Sequence, residues 1–176
     1  MPKISQNLFF STLAILFLAK SHVFSQDTQG SSRLPEPHFV TIKYNRTNVR
    51  IGPSKIHAIS YVYLKEGFPV EVIQEYENWR HIRDFDGTNG WVNKRLLSSK
   101  RSAIVSPWEN ESNEQTYVNL YQKPDKRSTV VAKIEPNVLL TIHKCSGEWC
   151  FGKNSGISGW IMQNKIWGVY PNEEFK

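Results

Sequence analysis

A chain of 176 residues has room for one ordinary domain or two very small ones, and no more. Its 22 Lys and Arg outnumber 16 Asp and Glu for a net charge of +6, with both signs mixed along the chain. That mild excess does not single out nucleic acid over an anionic glycan or a membrane surface, and it serves solubility equally well.

Residues 1–25 read as a secretory signal peptide. Lys3 gives the positive start, and the run from Leu8 to Ala19 is apolar apart from Ser11 and Thr12. The run is too short to span a bilayer comfortably, and Lys20 and His22 close it early. Cleavage is expected after Ser25; the competing reading is an uncleaved anchor. No later segment is apolar enough for a stable membrane span after signal cleavage. Removing the leader takes away Lys3 and Lys20 and so lowers the positive excess by two. The expected location is the periplasm or cell envelope. Residues 26–38, rich in Ser, Gly, Gln and Pro, read as a flexible tether.

The remainder repeats once, with a period of about 70 residues. Asn48-Val49-Arg50, Gly52-Pro53, Gly67-Phe68-Pro69-Val70, Trp79 and Gly90-Trp91-Val92 mark the first copy, residues 39–105. Asn119-Leu120-Tyr121, Lys123-Pro124, Glu135-Pro136-Asn137-Val138, Trp149 and Gly159-Trp160-Ile161 mark the second, residues 117–176, in the same order. Within a copy, β-branched and aromatic runs such as Tyr61–Leu64, Val70–Ile73, Val130–Ile134 and Val138–Ile142 alternate with Gly and Pro turns. No dozen-residue window shows helical periodicity. The fold class expected is all-β, two small barrels in tandem. Cores of about 60 residues are marginal alone and gain from packing together or from a crosslink. Residues 106–116 are polar and read as the linker, in which Trp108 is of the kind that seats one module on another.

Asn48-Val49-Arg50-Ile51-Gly52-Pro53, with Trp79-Arg80-His81-Ile82 and Gly90-Trp91-Val92 further on, resembles the bacterial SH3-like domain. The second copy is a degenerate match: Leu120-Tyr121 replaces Val-Arg and Lys123-Pro124 replaces Gly-Pro, while Gly159-Trp160-Ile161 keeps the ending. The resemblance implies a five-to-six-stranded barrel per copy and an envelope location. It also implies a role of the kind these modules play when attached to cell-wall hydrolases as targeting units, with no catalytic residue. Beside it stands a physical reading of the motif. Asn48 is expected to hydrogen-bond the following turn, Gly52 to adopt positive φ, Pro53 to fix that turn, and Arg50 to brace the loop or face a ligand.

Cys145 and Cys150 flank Ser146-Gly147-Glu148 and would face each other across a hairpin, within disulfide reach. Export favours oxidation. A redox pair or half a zinc site fits the spacing less well. Asp84 and Asp86 invite a calcium reading but lack further oxygen ligands, and turn chemistry accounts for both. No metal, cofactor or nucleophile–base pair is expected, so the chain reads as a non-enzyme. The Trp residues at repeat positions are expected in the core. Tyr61 and Tyr63, two apart on one strand face, with Arg80 and Trp91, are the ligand-binding candidates. The expected partner is cell-wall peptidoglycan or an envelope protein, with the first copy binding and the second serving as scaffold; export argues against nucleic acid. The alternative is a purely structural or interaction protein assisting a separate wall hydrolase.

Overall fold

A computed structural model describes residues 37–106 and 117–176. The leader, the tether through residue 36 and the stretch with Trp108 lie outside the described residues.

The described chain forms two seven-stranded antiparallel sheets. The first holds β1 (His38–Ile42), β2 (Thr47–Arg50), β3 (Ile59–Tyr63), β4 (Pro69–Tyr76), β5 (Trp79–Arg83), β6 (Asn89–Asn93) and β7 (Leu97–Ser98). The second holds β8 (Ser102–Val105), β9 (Val118–Tyr121), β10 (Val130–Ile134), β11 (Leu139–Ser146), β12 (Trp149–Asn154), β13 (Ile157–Met162) and β14 (Ile166–Trp167). The strand orders, β3-β2-β6-β5-β4-β1-β7 and β10-β9-β13-β12-β11-β8-β14, are the same topology used twice. One 3-10 turn precedes the last strand of each sheet, at Lys94–Leu96 and Gln163–Lys165. The short β7 and β14 raise the strand count above the five to six that the resemblance implied.

Each sheet curls around its own core, because strands from across its width contribute to one cluster. Ile42, Val49, Tyr63, Val70, Val72, Ile82 and Val92 fill the first. The second is larger and draws on Val105, Leu120, Leu140, Ile142, Cys145, Cys150 and Ile161. The alternation of a two-residue period puts these side chains on one face and the polar ones on the other.

The boundary between copies differs from the sequence reading. Ser102–Val105 was expected to close the first copy, but β8 pairs with β11 and β14 and so opens the second. Only residues 99–101 join the sheets. The polar stretch near 106–116 is therefore not an inter-copy linker; it is an insertion between the first two strands of the second copy, where the first copy needs only residues 43–46. The insertion breaks the repeat register, and that is why β8 looked like part of copy one.

The short connection presses the sheets together along a seam. Phe39 on β1, Glu71 on β4 and Arg83 on β5 lie in direct register. Phe39 meets Trp167 edge-on at 5.0 Å and Tyr170 at 4.8 Å. The Arg83 guanidinium donates twice to Glu71 Oε2, at 3.1 and 2.6 Å, while the Tyr170 hydroxyl donates to Oε1 at 2.9 Å. The Ser102 hydroxyl donates to the Gly67 carbonyl at 2.5 Å.

The C-terminal tail is tied to the second copy. Arg101 forks onto both oxygens of Glu173 at 2.7 and 2.9 Å. Phe175 exchanges two backbone hydrogen bonds with Cys145, at 2.9 and 3.1 Å, and packs on the core.

Candidate binding surface

The outer faces of both sheets carry the same row of positions. In the first sheet Gln74, His81, Trp91 and Arg50 stand side by side on β4, β5, β6 and β2. In the second, Lys144, Phe151, Trp160 and Tyr121 take those places. His81 stacks on Trp91 at 4.8 Å with the planes 10° apart, and its Nε2 lies 3.1 Å from Asn89 Oδ1. Phe151 meets Trp160 edge-on at 5.5 Å, Trp149 meets Tyr121 at 5.5 Å, and Lys144 Nζ lies 5.0 Å from the Trp160 centroid. These rings are half-buried.

The sequence motifs explain how the rows are held. Gly90 precedes Trp91, and a Cβ there would sit 2.5 Å from Val49 Cγ1; at Gly159, before Trp160, it would sit 3.0 Å from the Tyr121 carbonyl. The missing side chains let β2 and β9 cross close beneath the tryptophans. Arg50 donates to the His57 carbonyl at 2.6 Å and so ties down the 51–58 loop. This is the bracing role. Gly52 does not take positive φ; what glycine supplies is room for the His57 ring, which lies 2.6 Å from where a Cβ would be. Asn48 sits mid-ladder opposite Val62, and no side-chain hydrogen bond ties it to the next turn. Pro53 lies in that turn.

The four binding candidates do not converge. Trp91 is on the outer row. Tyr61 and Tyr63 lie opposite Val49 and Thr47, both fully buried, so they face inward. Tyr63 belongs to the core at 9% exposure, and Tyr61 packs against it edge-on at 5.5 Å. Arg80 stands opposite the buried Val92, on the inner side. There it pairs with Glu75 at 2.8 Å and donates to the Trp79 and Glu77 carbonyls. Of the four repeat-position tryptophans expected in the core, only Trp79 is buried.

Asp84 and Asp86 divide the work at the β5–β6 turn. Asp86 Oδ1 accepts the Thr88 N–H at 2.8 Å, an Asx turn. The Asp84 backbone helps make the same turn, but its carboxylate points inward and accepts from the Tyr63 hydroxyl at 3.0 Å. Burial, then the neighbouring Asp86, pushes Asp84 up to about 6; Asp86, hydrogen-bonded by Asp84 and Thr88, is held at about 2. Burial raises both tyrosines as well. Asp84 Oδ1 and the Tyr61 hydroxyl have no partner among the described residues.

Cys145 and Cys150 form the expected disulfide, opposite each other on β11 and β12. Among the described residues no group of three or more His, Cys, Asp or Glu could hold a metal ion. No helix among them is long and apolar enough to cross a membrane.

The residues that sequence reasoning missed are Tyr121, Phe151, His81 and Lys144. Their signal was the two-residue alternation: Trp149 and Phe151 lie on one face with the buried Cys150 between them.

Comparison with known proteins bears on both copies. The sequence model of the bacterial SH3 domain matches residues 43–99 and 114–168. No curated protein matches the chain. Among solved structures the chain is similar to NlpC1 from Trichomonas vaginalis at 18% identity, with 77% of this chain and 47% of that one covered and a TM-score of 0.31. It is similar to NlpC2 from the same organism at 16%, covering 74% and 48%, TM-score 0.32. It is also similar to an NlpC/P60 family protein from Bacillus cereus ATCC 10987 at 11%, covering 73% and 55%, TM-score 0.32. The chain thus spans about half the length of the solved proteins it matches.

Proposed function

The chain belongs to the bacterial SH3 domain family, and from that premise we propose that it is an exported, non-catalytic binding protein of the bacterial cell envelope that recognises peptidoglycan. The observation that carries this reading is the duplicated outer row, Trp91 with His81 in one sheet and Trp160 with Phe151 and Tyr121 in the other. Rigid aromatic faces of this kind can stack on sugar rings, and Lys144 beside Trp160 supplies a cation for wall carboxylates or phosphates. The second row is the more aromatic, so both copies bind, rather than the first alone.

Export rests on the leader of residues 1–25. The non-catalytic reading is supported by the disulfide: the two cysteines are the only ones in the chain, and a bonded sulfur is no nucleophile.

The test is retention of the chain lacking residues 1–25 on purified, insoluble peptidoglycan. Retention should fall at least tenfold in Trp91→Ala/Trp160→Ala, with the far-ultraviolet spectrum unchanged. Retention that the double variant leaves intact would reject the aromatic rows as the site. A clearing zone in zymography with the pure protein would reject the non-catalytic assignment.

A further inference from the structure

The two copies meet at a groove whose charges follow a definite order. Beside the Ser102–Gly67 hydrogen bond, a cavity of about 500 Å³ is lined by Lys43, Tyr44 and Lys100, and one of about 340 Å³ by Leu139, Lys153 and Asn154. Both are walled by Glu66, Gly67, Ser102 and Thr141, so they are the two ends of one depression. Each end has the volume of a small-ligand site, roughly 300–1,000 Å³. β1 contributes its C-terminal end and β8 its N-terminal end, so the strand ends that adjoin residues 36 and 107 lie away from the groove.

The short connection between the copies brings the charges together. Lys43 follows β1, Lys100 stands in the connection itself, and Lys153 lies on β12. Glu66 sits in the turn before β4, where its N–H donates to Asn45 Oδ1 at 3.1 Å and Gly67 completes the turn with φ 77°. All four charged side chains are exposed, and none forms an ion pair among the described residues. Arg101 also lines the larger end, but its fork is committed to Glu173 and serves as wall. Cations thus hold both ends and a carboxylate the middle. A uniform polyanion is repelled at Glu66, whereas a ligand with two carboxylates and an ammonium between them is matched throughout. Lys153 lies two residues beyond Phe151 on the same face of β12, so the groove continues the second aromatic row.

We propose that this groove holds the peptide part of peptidoglycan, a short peptide with free carboxylates toward each end and the free amine of its diamino acid between them. Lys43 and Lys100 take one carboxylate, Lys153 another, and Glu66 the ammonium. Tyr44 and Leu139 supply the apolar contacts. The choice of peptide rests on the peptidoglycan reading, because sugars stacked along Phe151 and Trp160 lead the attached peptide over Lys153.

The probe is the free tetrapeptide L-Ala-γ-D-Glu-meso-diaminopimelate-D-Ala, titrated into the whole chain without its leader and followed by amide chemical shifts. Saturation at one equivalent with a Kd under about 1 mM is expected. In the unaltered protein the shifts should fall at Gly67, Lys100 and Thr141 and spare Trp91, a reading that needs no variant to fold. Lys43→Glu/Lys153→Glu should weaken binding about tenfold or more. Acetylating the peptide's amine should weaken binding to the parent but not to Glu66→Gln; an equal loss in both would overturn the assigned charge order. No saturation up to about 1 mM overturns the groove even where insoluble peptidoglycan is retained, a result that leaves the aromatic rows standing. Saturation that the lysine reversals leave unchanged overturns it too. Peptide binding without retention of insoluble peptidoglycan upholds the groove and rejects the sugar-stacking rows instead.

Discussion

Cys150 stands in the second sheet where Arg80 stands in the first. Each faces the preceding strand across the same hairpin, Cys150 joined to Cys145 by a disulfide and Arg80 to Glu75 by an ion pair of 2.8 Å. One cross-strand position is thus crosslinked in two chemistries. The covalent one is buried in the core, at 3% and 0% exposure; the ionic one keeps its side chains partly in water, at 17% and 32%. A loop this short stabilises by less than the ~3 kcal/mol of a 15-residue loop, so reduction should cost about 1–2 kcal/mol. Denaturant titrations with and without a phosphine reductant, followed by tryptophan fluorescence, measure it. Glu75→Cys/Arg80→Cys should close a second disulfide on its own. Free thiols persisting in that double variant under air would show that the two positions are not equivalent.

The Glu71 carboxylate holds the seam, because one buried group accepts from Arg83 of its own sheet and from Tyr170, beyond β14 in the second copy. Tyr170→Phe removes a single bond to a charged acceptor and should cost about 1.5 kcal/mol. Glu71→Ala removes both contacts, although the half-exposed Arg83 regains water, and should cost about 2–3 kcal/mol. The larger loss should also split urea unfolding into two steps, as each copy unfolds separately. A negligible cost for Tyr170→Phe would mean that Glu71 works within the first sheet alone, and equal costs for the two variants would mean that Arg83 adds nothing.

Arg50 separates a bracing role from a binding one. Its 2.6 Å bond to the His57 carbonyl is the side-chain tie across the 51–58 loop, beside the backbone bond from Ile51 to Ala58. Arg50→Ala should lower stability by about 1–2 kcal/mol and speed amide exchange in that loop. Peptidoglycan retention should fall far less than in the double tryptophan variant. Complete loss of retention with unchanged exchange would instead make Arg50 a ligand contact.

Where local chemistry determined structure, the sequence was readable. Turn residues and β-branched runs marked the strands, and a short turn between Cys145 and Cys150 implied their pairing. Legibility failed where long-range register decides. Ser102–Val105 carries no mark of which copy it belongs to; pairing with β11 and β14 settles that, and the insertion after it hides the repeat. Tyr61 and Tyr63 do share a face, as their spacing requires, but only their pairing with Thr47 and Val49 shows that the face is the inner one. Tyr121 looked like a loss from the motif. It is an aromatic gain on the outer row, visible only once β9 is placed beside β13.

The turn carboxylates give the fold a pH dependence of unusual sign. Asp84 is 9% exposed, and burial together with Asp86 raises it to about 6 in the folded protein, well above its ordinary value of 3.8. Folding therefore favours the protonated acid. The stability it lends is fully present below about pH 4 and is lost as the pH climbs to 6. At about 1.4 kcal/mol per unit, the loss is on the order of 2–3 kcal/mol. Asp86 shifts the other way, to about 2, so its contribution is lost only as the pH falls below 4 and leaves the upper window to Asp84. Asp84→Asn keeps the acceptor for the Tyr63 hydroxyl and cannot ionise. Its stability relative to the parent should rise steadily between pH 4 and 6 and level off above. Urea midpoints at half-unit pH intervals test this, and parallel curves for the two proteins across that window would show that Asp84 ionises normally in the fold.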